Sequence, residues 1–120
     1  MVLAQPTAPP PAERRVAVRR QPTVGTVCHL HPPTGPDLLG LVWNISTSGV
    51  SMLLHQRLEV GTILGAELRA AKEENALAVT LRVAHVSQLR TGDYILGAQL
   101  VRPLQPHEMQ RFLPEIGRGP

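Results

Sequence analysis

Short runs in which aliphatic residues alternate with polar ones make up most of this chain, and turn-forming residues separate the runs. Alternation with a period of two is typical of strands that bury one face. Only three of the 120 residues are aromatic, so the core has to be built mostly from Val, Leu and Ile. A chain of this length and composition supports a single small β-domain with a modest core.

Six strands are predicted between residues 23 and 101. The first is expected to place Val24, Thr26, Cys28 and Leu30 on one face. The second is expected to cover residues 38–45 with Trp43 packed inside, and the alternative for Trp43 is a stacking role. The next three have their inward faces at Val50, Met52 and Leu54, then at Leu64, Ala66 and Leu68, and then at Val79, Leu81 and Val83; the sixth covers residues 94–101. Regular turns between six such strands favour a small antiparallel barrel.

The end of the chain changes from a strand pattern to a helix pattern. Pro106 suits the first turn of a helix, and Met109, Phe112 and Leu113 share one face by their spacing. We expect a short helix over residues 105–113 that closes one opening of the barrel. The predicted fold is therefore all-β: a six-stranded antiparallel barrel over residues 22–102, followed by this C-terminal helix and a tail from residue 117.

The net charge of +3 is concentrated at the beginning of the chain. Residues 1–21 hold four arginines and one glutamate, whereas the rest of the chain has eight basic and eight acidic residues. Residues 1–12 are rich in proline and offer little to bury, which predicts a flexible tail. We expect residues 13–21 to form a flexible, basic N-terminal arm that binds an anion. The alternative for such a charge run is a solvated tail.

Two polar clusters stand apart from the apolar pattern. Arg15 and Arg19 lie four residues apart in the arm, and a guanidinium is a planar fork that matches phosphate and stacks on flat rings. Residues 44–49, with the sequence NISTSG, form a polar turn in which Gly49 is expected to use a positive φ. A guanine edge displays adjacent acceptors that one arginine can bridge. The two clusters together suit a planar, anionic, nucleotide-like ligand.

These clusters resemble the paired signatures of the PilZ domain, a bacterial receptor module for cyclic di-GMP. The signatures are R-x-x-x-R, matched by residues 15–19, and D/N-x-S-x-x-G, matched by residues 44–49. Each is weak alone, but their order, their separation and the later strand over residues 94–101 make the joint match specific. The resemblance extends over about residues 13 to 113. Leu100 stands where the family often has Phe, which is a difference at a core position.

The resemblance implies a receptor that performs no reaction. Arg15 and Arg19 would contact guanine edges and phosphates of cyclic di-GMP, bound as an intercalated dimer, with Arg14 and Arg20 as secondary contacts at the rim. On the motif turn, the Asn44 amide would bind a guanine edge, the Ser46 hydroxyl would bind a guanine or phosphate oxygen, and Gly49 would let the ligand approach the backbone. An effector protein would then recognise the complex in the control of motility, exopolysaccharide or biofilm.

Other kinds of site have little support in the sequence. Cys28 is expected to point away from His29 and His31, and no nearby carboxylate completes a zinc site, so neither a metal nor a cofactor is predicted. There is no catalytic motif such as GxSxG, HExxH or a Walker loop. A single cysteine suits a reducing compartment, and no long apolar run predicts a membrane span, so we expect the cytoplasm.

Two alternative functions remain open. The chain could be a PilZ-like adaptor that binds only proteins, although the intact signature residues argue against it. It could also be a small basic barrel that binds nucleic acid. The barrel itself is predicted to be charge-neutral and poor in aromatic residues. Proteins that bind single-stranded nucleic acid combine a basic groove with aromatic residues on which the bases stack. We therefore expect no nucleic acid partner.

Overall fold

The computed structural model describes residues 20–71 and 73–114. The elements are β1 (Val27–His31), β2 (Leu38–Ile45), β3 (Gly49–Leu54), β4 (Ile63–Arg69), β5 (Leu77–Gln88), β6 (Tyr94–Leu100) and the helix α1 (Pro106–Gln110). The strands form a closed antiparallel barrel in the order β1-β2-β3-β6-β5-β4. The predicted six-stranded barrel with a short C-terminal helix is confirmed. The predictions for residues 1–19 and 115–120 lie outside the described residues.

The inner face of the barrel is aliphatic, as the alternation predicts. Each strand sends every second side chain inward, and these side chains pack with those of α1 and its flanking turns into one core. The most deeply buried strand residues are Cys28, Leu30, Ile45, Val50, Met52, Leu68, Leu81, Val83 and Leu96. Burial of one such side chain stabilises the fold by about 1.5–3 kcal/mol. The core therefore holds the barrel together without a strand aromatic inside it.

The first strand begins later than the sequence predicts. Thr26, Cys28 and Leu30 point inward, but the prediction for Val24 is wrong, since this residue is 92% exposed. Gly25 has a φ of +94°, which L-residues rarely adopt. The turn that contains it is closed by a hydrogen bond of 3.1 Å from the Thr26 N–H to the Thr23 carbonyl. This turn interrupts the alternation between Val24 and Thr26.

Helix α1 and the turn after it cover one end of the barrel. Phe112 is fully buried, and Met109 and Leu104 are nearly so, which confirms the core role predicted for this helix. The Phe112 carbonyl accepts a hydrogen bond of 2.8 Å from the Thr23 N–H, and the Arg111 guanidinium donates one of 2.6 Å to the Asn75 carbonyl. The segment that leads into β1 and the β4–β5 connection are thus both attached to the end of α1.

The only cysteine lies inside the barrel. Burial raises the pKa of Cys28 to about 12, so its thiol stays protonated and unreactive at neutral pH. His29 and His31 lie on the opposite face of β1. Among the residues that the structure describes, no helix has the length and the apolar character needed to cross a membrane.

His31 on β1 contacts two carboxylates, and the strength of these contacts should depend on pH. Its Nδ1 lies 3.2 Å from Asp37 Oδ1, and its Nε2 lies 3.5 Å from Glu67 Oε2. The hydrogen bond to Asp37, supported by the charges of both carboxylates and the contact with Glu67, raises the pKa of His31 above its usual value. The two acidic neighbours therefore favour the charged form of the ring over the neutral one.

We expect His31→Gln to destabilise the protein in mild acid but not in base. A raised folded-state pKa stabilises the fold fully below the unfolded value of about 6.5, and this contribution disappears as the pH rises through the folded-state pKa. The free energy of unfolding from urea titrations at about pH 5.5 and about pH 8.5 measures the difference. His29→Gln, on the same strand, is the control. An equal loss from His31→Gln at both pH values would contradict the assignment.

Candidate functional site

The predicted polar turn connects β2 to β3 at the end of the barrel covered by α1. Asn44 and Ile45 are the last residues of β2, Ser46 to Ser48 form the turn, and Gly49 is the first residue of β3. The Ser46 N–H donates a hydrogen bond of 2.9 Å to the Gly49 carbonyl. Residues 44–49, called here the motif turn, therefore form a tight hairpin connection, as their composition predicts.

The side chain of Ser46 holds this turn together. Its Oγ accepts hydrogen bonds from the Gly49 N–H at 3.0 Å and from the Ser48 N–H at 3.2 Å. The residue is only 3% exposed. A serine hydroxyl that caps nearby backbone donors in this way stabilises a turn. Its hydroxyl donates a long hydrogen bond of 3.4 Å to the Gly49 carbonyl, and the Ser48 Oγ lies at the same distance.

Gly49 is required for a different reason from the one that the sequence suggests. Positive φ angles occur at Gly25, Gly35, Gly61 and Gly92 but not at Gly49, so that prediction is wrong. A Cβ at position 49 would lie 2.9 Å from the carbonyl oxygen of Ala98. Gly49 is therefore needed because β3 and β6 approach each other closely at this point.

The motif turn is also held from outside by the chain that follows β6. The Ser48 carbonyl accepts a hydrogen bond of 2.8 Å from the Leu100 N–H, and the Thr47 carbonyl accepts one of 2.8 Å from the Leu104 N–H. Arg102, which lies between them, donates a hydrogen bond of 3.1 Å to Glu108, and the same carboxylate accepts a hydrogen bond of 2.8 Å from the Gln105 N–H. That hydrogen bond, together with Arg102, lowers the pKa of Glu108 below its usual value. The turn is thus a rigid part of the barrel end.

The root of the N-terminal arm is paired with the motif turn. The Arg20 N–H donates to the Ile45 carbonyl at 2.7 Å, and the Ile45 N–H donates to the Arg20 carbonyl at 2.8 Å. This antiparallel pair lies beyond the strands proper, and the Arg20 side chain is exposed. Arg14, Arg15 and Arg19, the other predicted arm contacts, lie outside the described residues.

A β-bulge in β2 turns two neighbouring side chains of the site outward. β2 pairs Val42 with Met52 and then Asn44 with Ser51, so that Trp43 is an extra residue in the ladder. An extra residue shifts the alternation by one, and consecutive side chains then face the same side. Asn44 and Trp43 therefore both lie on the outer wall.

The prediction that Trp43 packs inside the barrel is consequently wrong. The side chain is 56% exposed, in line with Leu41 and Leu39, which are 51% and 52% exposed. Strict alternation would put Trp43 on the same inner face as Ile45, two residues later. The bulge between Val42 and Asn44 breaks the alternation, so Trp43 faces outward instead. The sequence contains no signal for the bulge, so it favoured the packed position of Trp43 over the stacking alternative, which requires an exposed indole.

The structure gives no support to a metal centre at the histidines of β1. Cys28 points into the core while His29 and His31 point outward. Within residues 20–71 and 73–114, no group of three or more His, Cys, Asp and Glu residues is close enough to hold a metal ion.

We expect Gly49→Ala to destabilise the fold by about 1–3 kcal/mol, as overpacking does when backbone atoms have to move. Gly65→Ala is the matched control, because Gly65 also lies in a strand and a Cβ there meets nothing within 4 Å. That control should be neutral or slightly stabilising. Urea unfolding of the two variants checks this. Equal stability of both would show that the contact with Ala98 does not determine residue 49.

The barrel is similar to several solved structures. No protein-family model and no curated protein matches the sequence significantly. Among solved structures, the Bacillus subtilis inhibitor of motility MotI/DgrA matches with a TM-score of 0.62 at 17% identity, over 87% of this chain and 53% of that one. Escherichia coli YcgR in complex with c-di-GMP matches with a TM-score of 0.64 at 17% identity, over 82% of this chain and 42% of that one.

MrkH of K. pneumonia in its apo state matches with a TM-score of 0.60 at 18% identity, over 79% of this chain and 44% of that one. The chain therefore spans about half the length of each of these proteins. The barrel order, the motif turn between β2 and β3, and these three matches confirm the resemblance to the PilZ domain at the level of the fold.

Proposed function

We propose that this chain is a receptor for cyclic di-GMP that closes its N-terminal arm over the ligand and then signals to a protein partner. The chain performs no reaction in this proposal. The fold likeness to YcgR, which was crystallised with c-di-GMP, supports the choice of ligand. MotI/DgrA, an inhibitor of motility, has the same fold, which supports a role in the control of motility or a related surface behaviour.

One observation carries the proposal: the backbone pair between Arg20 and Ile45, at 2.7 and 2.8 Å. It attaches the root of the arm to the second residue of the motif turn. Arg19 is one peptide bond away, and Arg15 is five residues away, which is at most about 18 Å along an extended chain. Both arginines are therefore within reach of a ligand that lies on the motif turn, although 25 residues separate Arg20 from Ile45 in sequence.

The proposed contacts follow from the chemistry of the side chains. Arg15 and Arg19 bind guanine edges and phosphates through bidentate, charge-assisted hydrogen bonds. The Asn44 amide binds a guanine edge from the outer wall, and the Ser46 hydroxyl turns its proton from the Gly49 carbonyl to a guanine or phosphate oxygen. Gly49 leaves the backbone accessible to the ligand. The ligand binds as an intercalated dimer, by analogy with the family.

Arg14 and Arg20 contribute secondary contacts at the rim. The closed arm and the bound ligand together make a new surface, which a partner protein recognises. This change of surface is the signal in the proposed mechanism.

Two alternatives lead to different results in solution. A PilZ-like adaptor would bind its protein partner with the same affinity in the presence and absence of nucleotide. A nucleic-acid-binding barrel would bind an oligonucleotide with a strong dependence on salt. The exposed Trp43 favours stacking of a base, and such stacking fits either a dinucleotide or a single strand.

Titration calorimetry should show direct binding of cyclic di-GMP and much weaker binding of cyclic di-AMP, GTP and GMP. An adenine presents a donor where guanine presents an acceptor, and each bidentate base contact discriminates by about 1–3 kcal/mol. A single-stranded oligonucleotide at the same salt concentration is the control for nonspecific affinity. Equal affinity for cyclic di-AMP would contradict guanine reading, and tighter binding of the oligonucleotide would favour the nucleic acid alternative.

Arg15→Ala and Arg19→Ala should each weaken binding by at least about tenfold, because each removes charge-assisted hydrogen bonds of about 1.5–3 kcal/mol. Arg15→Lys should fail too, since an ammonium cannot form the bidentate fork. The matched control is Arg90→Ala, an exposed arginine in the turn at the opposite end of β6. The melting temperature without ligand should not change in any of these variants.

Hydrogen exchange with and without ligand provides the second measurement for these arginines. Residues 14–20 should gain protection on binding while residues 1–10 do not. Identical exchange in both states would remove the closing arm from the mechanism even if the ligand binds.

A further inference from the structure

A second bulge lies on the outer wall at the same level as the first. β5 pairs Val83 with Ala98 and then His85 with Gly97, so that Ala84 is an extra residue. His85 and Ala84 are both exposed as a result. Bulges are common next to functional sites, where they redirect a side chain.

The two bulges frame one row of residues that crosses four strands. Asn44 pairs with Ser51, Ser51 pairs with Gly97, and Gly97 pairs with His85. Three steps between neighbouring strands make this row about 14 Å wide. The bulges make Asn44 and His85 face outward at its two ends. The row therefore connects the motif turn directly to β5, which the sequence motifs do not include.

The middle of the row is flat because Gly97 has no side chain. The His85 ring lies over this glycine, since a Cβ there would come within 2.3 Å of Nε2 and 2.5 Å of Cε1. Ser51 beside it is only 4% exposed. One side of the imidazole ring thus lies against Gly97, and the residue is exposed to solvent. A planar base can stack on a ring in this arrangement.

An arginine lies beside this row on the same face. Gly49 pairs with Gln99, and Gln99 pairs with Arg82. Arg82 is exposed, and its guanidinium makes no hydrogen bond or ion pair with any other residue in the described part of the chain. Gly49 has no side chain at the end of this neighbouring row beside the motif turn, and the exposed side chain of Gln99 stands between it and Arg82. The wall between the motif turn and β5 therefore combines a flat area at Gly97, the imidazole ring of His85 and the guanidinium of Arg82, with the Gln99 side chain beside them.

We propose that the outer wall of β3, β6 and β5 extends the ligand site, with His85 stacking on a base of the bound dinucleotide and Arg82 binding its guanine edge or phosphate. This inference rests on the proposed receptor function and names two contacts outside both sequence motifs. Asn44 and His85 then hold opposite ends of the ligand.

The test is titration calorimetry with cyclic di-GMP on the full chain and four variants. His85→Ala should weaken binding about tenfold, which corresponds to the loss of one stacked base. His85→Phe keeps a ring and should bind within about threefold of the wild type. Arg82→Gln should weaken binding about tenfold. Gly97→Ala displaces the His85 ring without touching backbone and should resemble His85→Ala.

Two matched controls lie on the opposite wall of the barrel. His29→Ala on β1 and Arg69→Gln on β4 remove the same side-chain types and should change binding by less than about twofold. Urea unfolding should show that His85→Ala and Arg82→Gln fold as stably as the controls, since both side chains are exposed.

The outcomes separate this inference from the receptor function. If Arg15→Ala abolishes binding while His85→Ala and Arg82→Gln bind like the wild type, the extended site is overturned and the receptor function stands. If His85→Phe binds as weakly as His85→Ala, the stacking role is overturned. If the wild-type chain binds no cyclic di-GMP, the receptor function is overturned, and this inference with it.

Discussion

Closure of the barrel by β1 and β4 is the constraint on which the rest of this structure depends. Five residue pairs, from Val27 with Arg69 to His31 with Gly65, join the first strand to the fourth and leave no free edge. A closed barrel fixes the register of all six strands, because a shift in one pair would have to be absorbed in every other. The two bulges are therefore fixed features of the wall, and they decide which side chains face outward.

In this barrel, the residues that stabilise the domain differ from the residues of the proposed site. The inner face carries the aliphatic core and the plug formed by α1, and polar groups at the motif turn are satisfied by Ser46 and by the chain after β6. The outer wall at the same level carries Asn44, Trp43, His85 and Arg82, none of which fills the core. Substitutions on this wall can change binding with little effect on folding, which makes the binding measurements interpretable.

The sequence predicts most of the fold but only part of the site, and the reason is physical. Alternation identifies strands because burial of one face is a local pattern, so the bounds of β2 and the inward faces of β3 and β4 are confirmed. Val24, Trp43 and Gly49 are predicted wrongly because their environments depend on a turn, a bulge and a close approach between strands. No single-strand pattern contains these features. The contribution proposed for His85 and Arg82 depends likewise on which strands become neighbours.

The energetics of the proposed arm explain why its closure would depend on ligand. Ordering residues 14–19 costs about 6–12 kcal/mol of backbone entropy, at about 1–2 kcal/mol per residue. Two arginines that each form two charge-assisted hydrogen bonds offset about 6–12 kcal/mol. The two terms are of similar size, so the proposed closure requires an anion to supply the second one. The pair between Arg20 and Ile45 is then decisive, because it orders the root of the arm before the ligand arrives and reduces the entropy that the arginines have to offset.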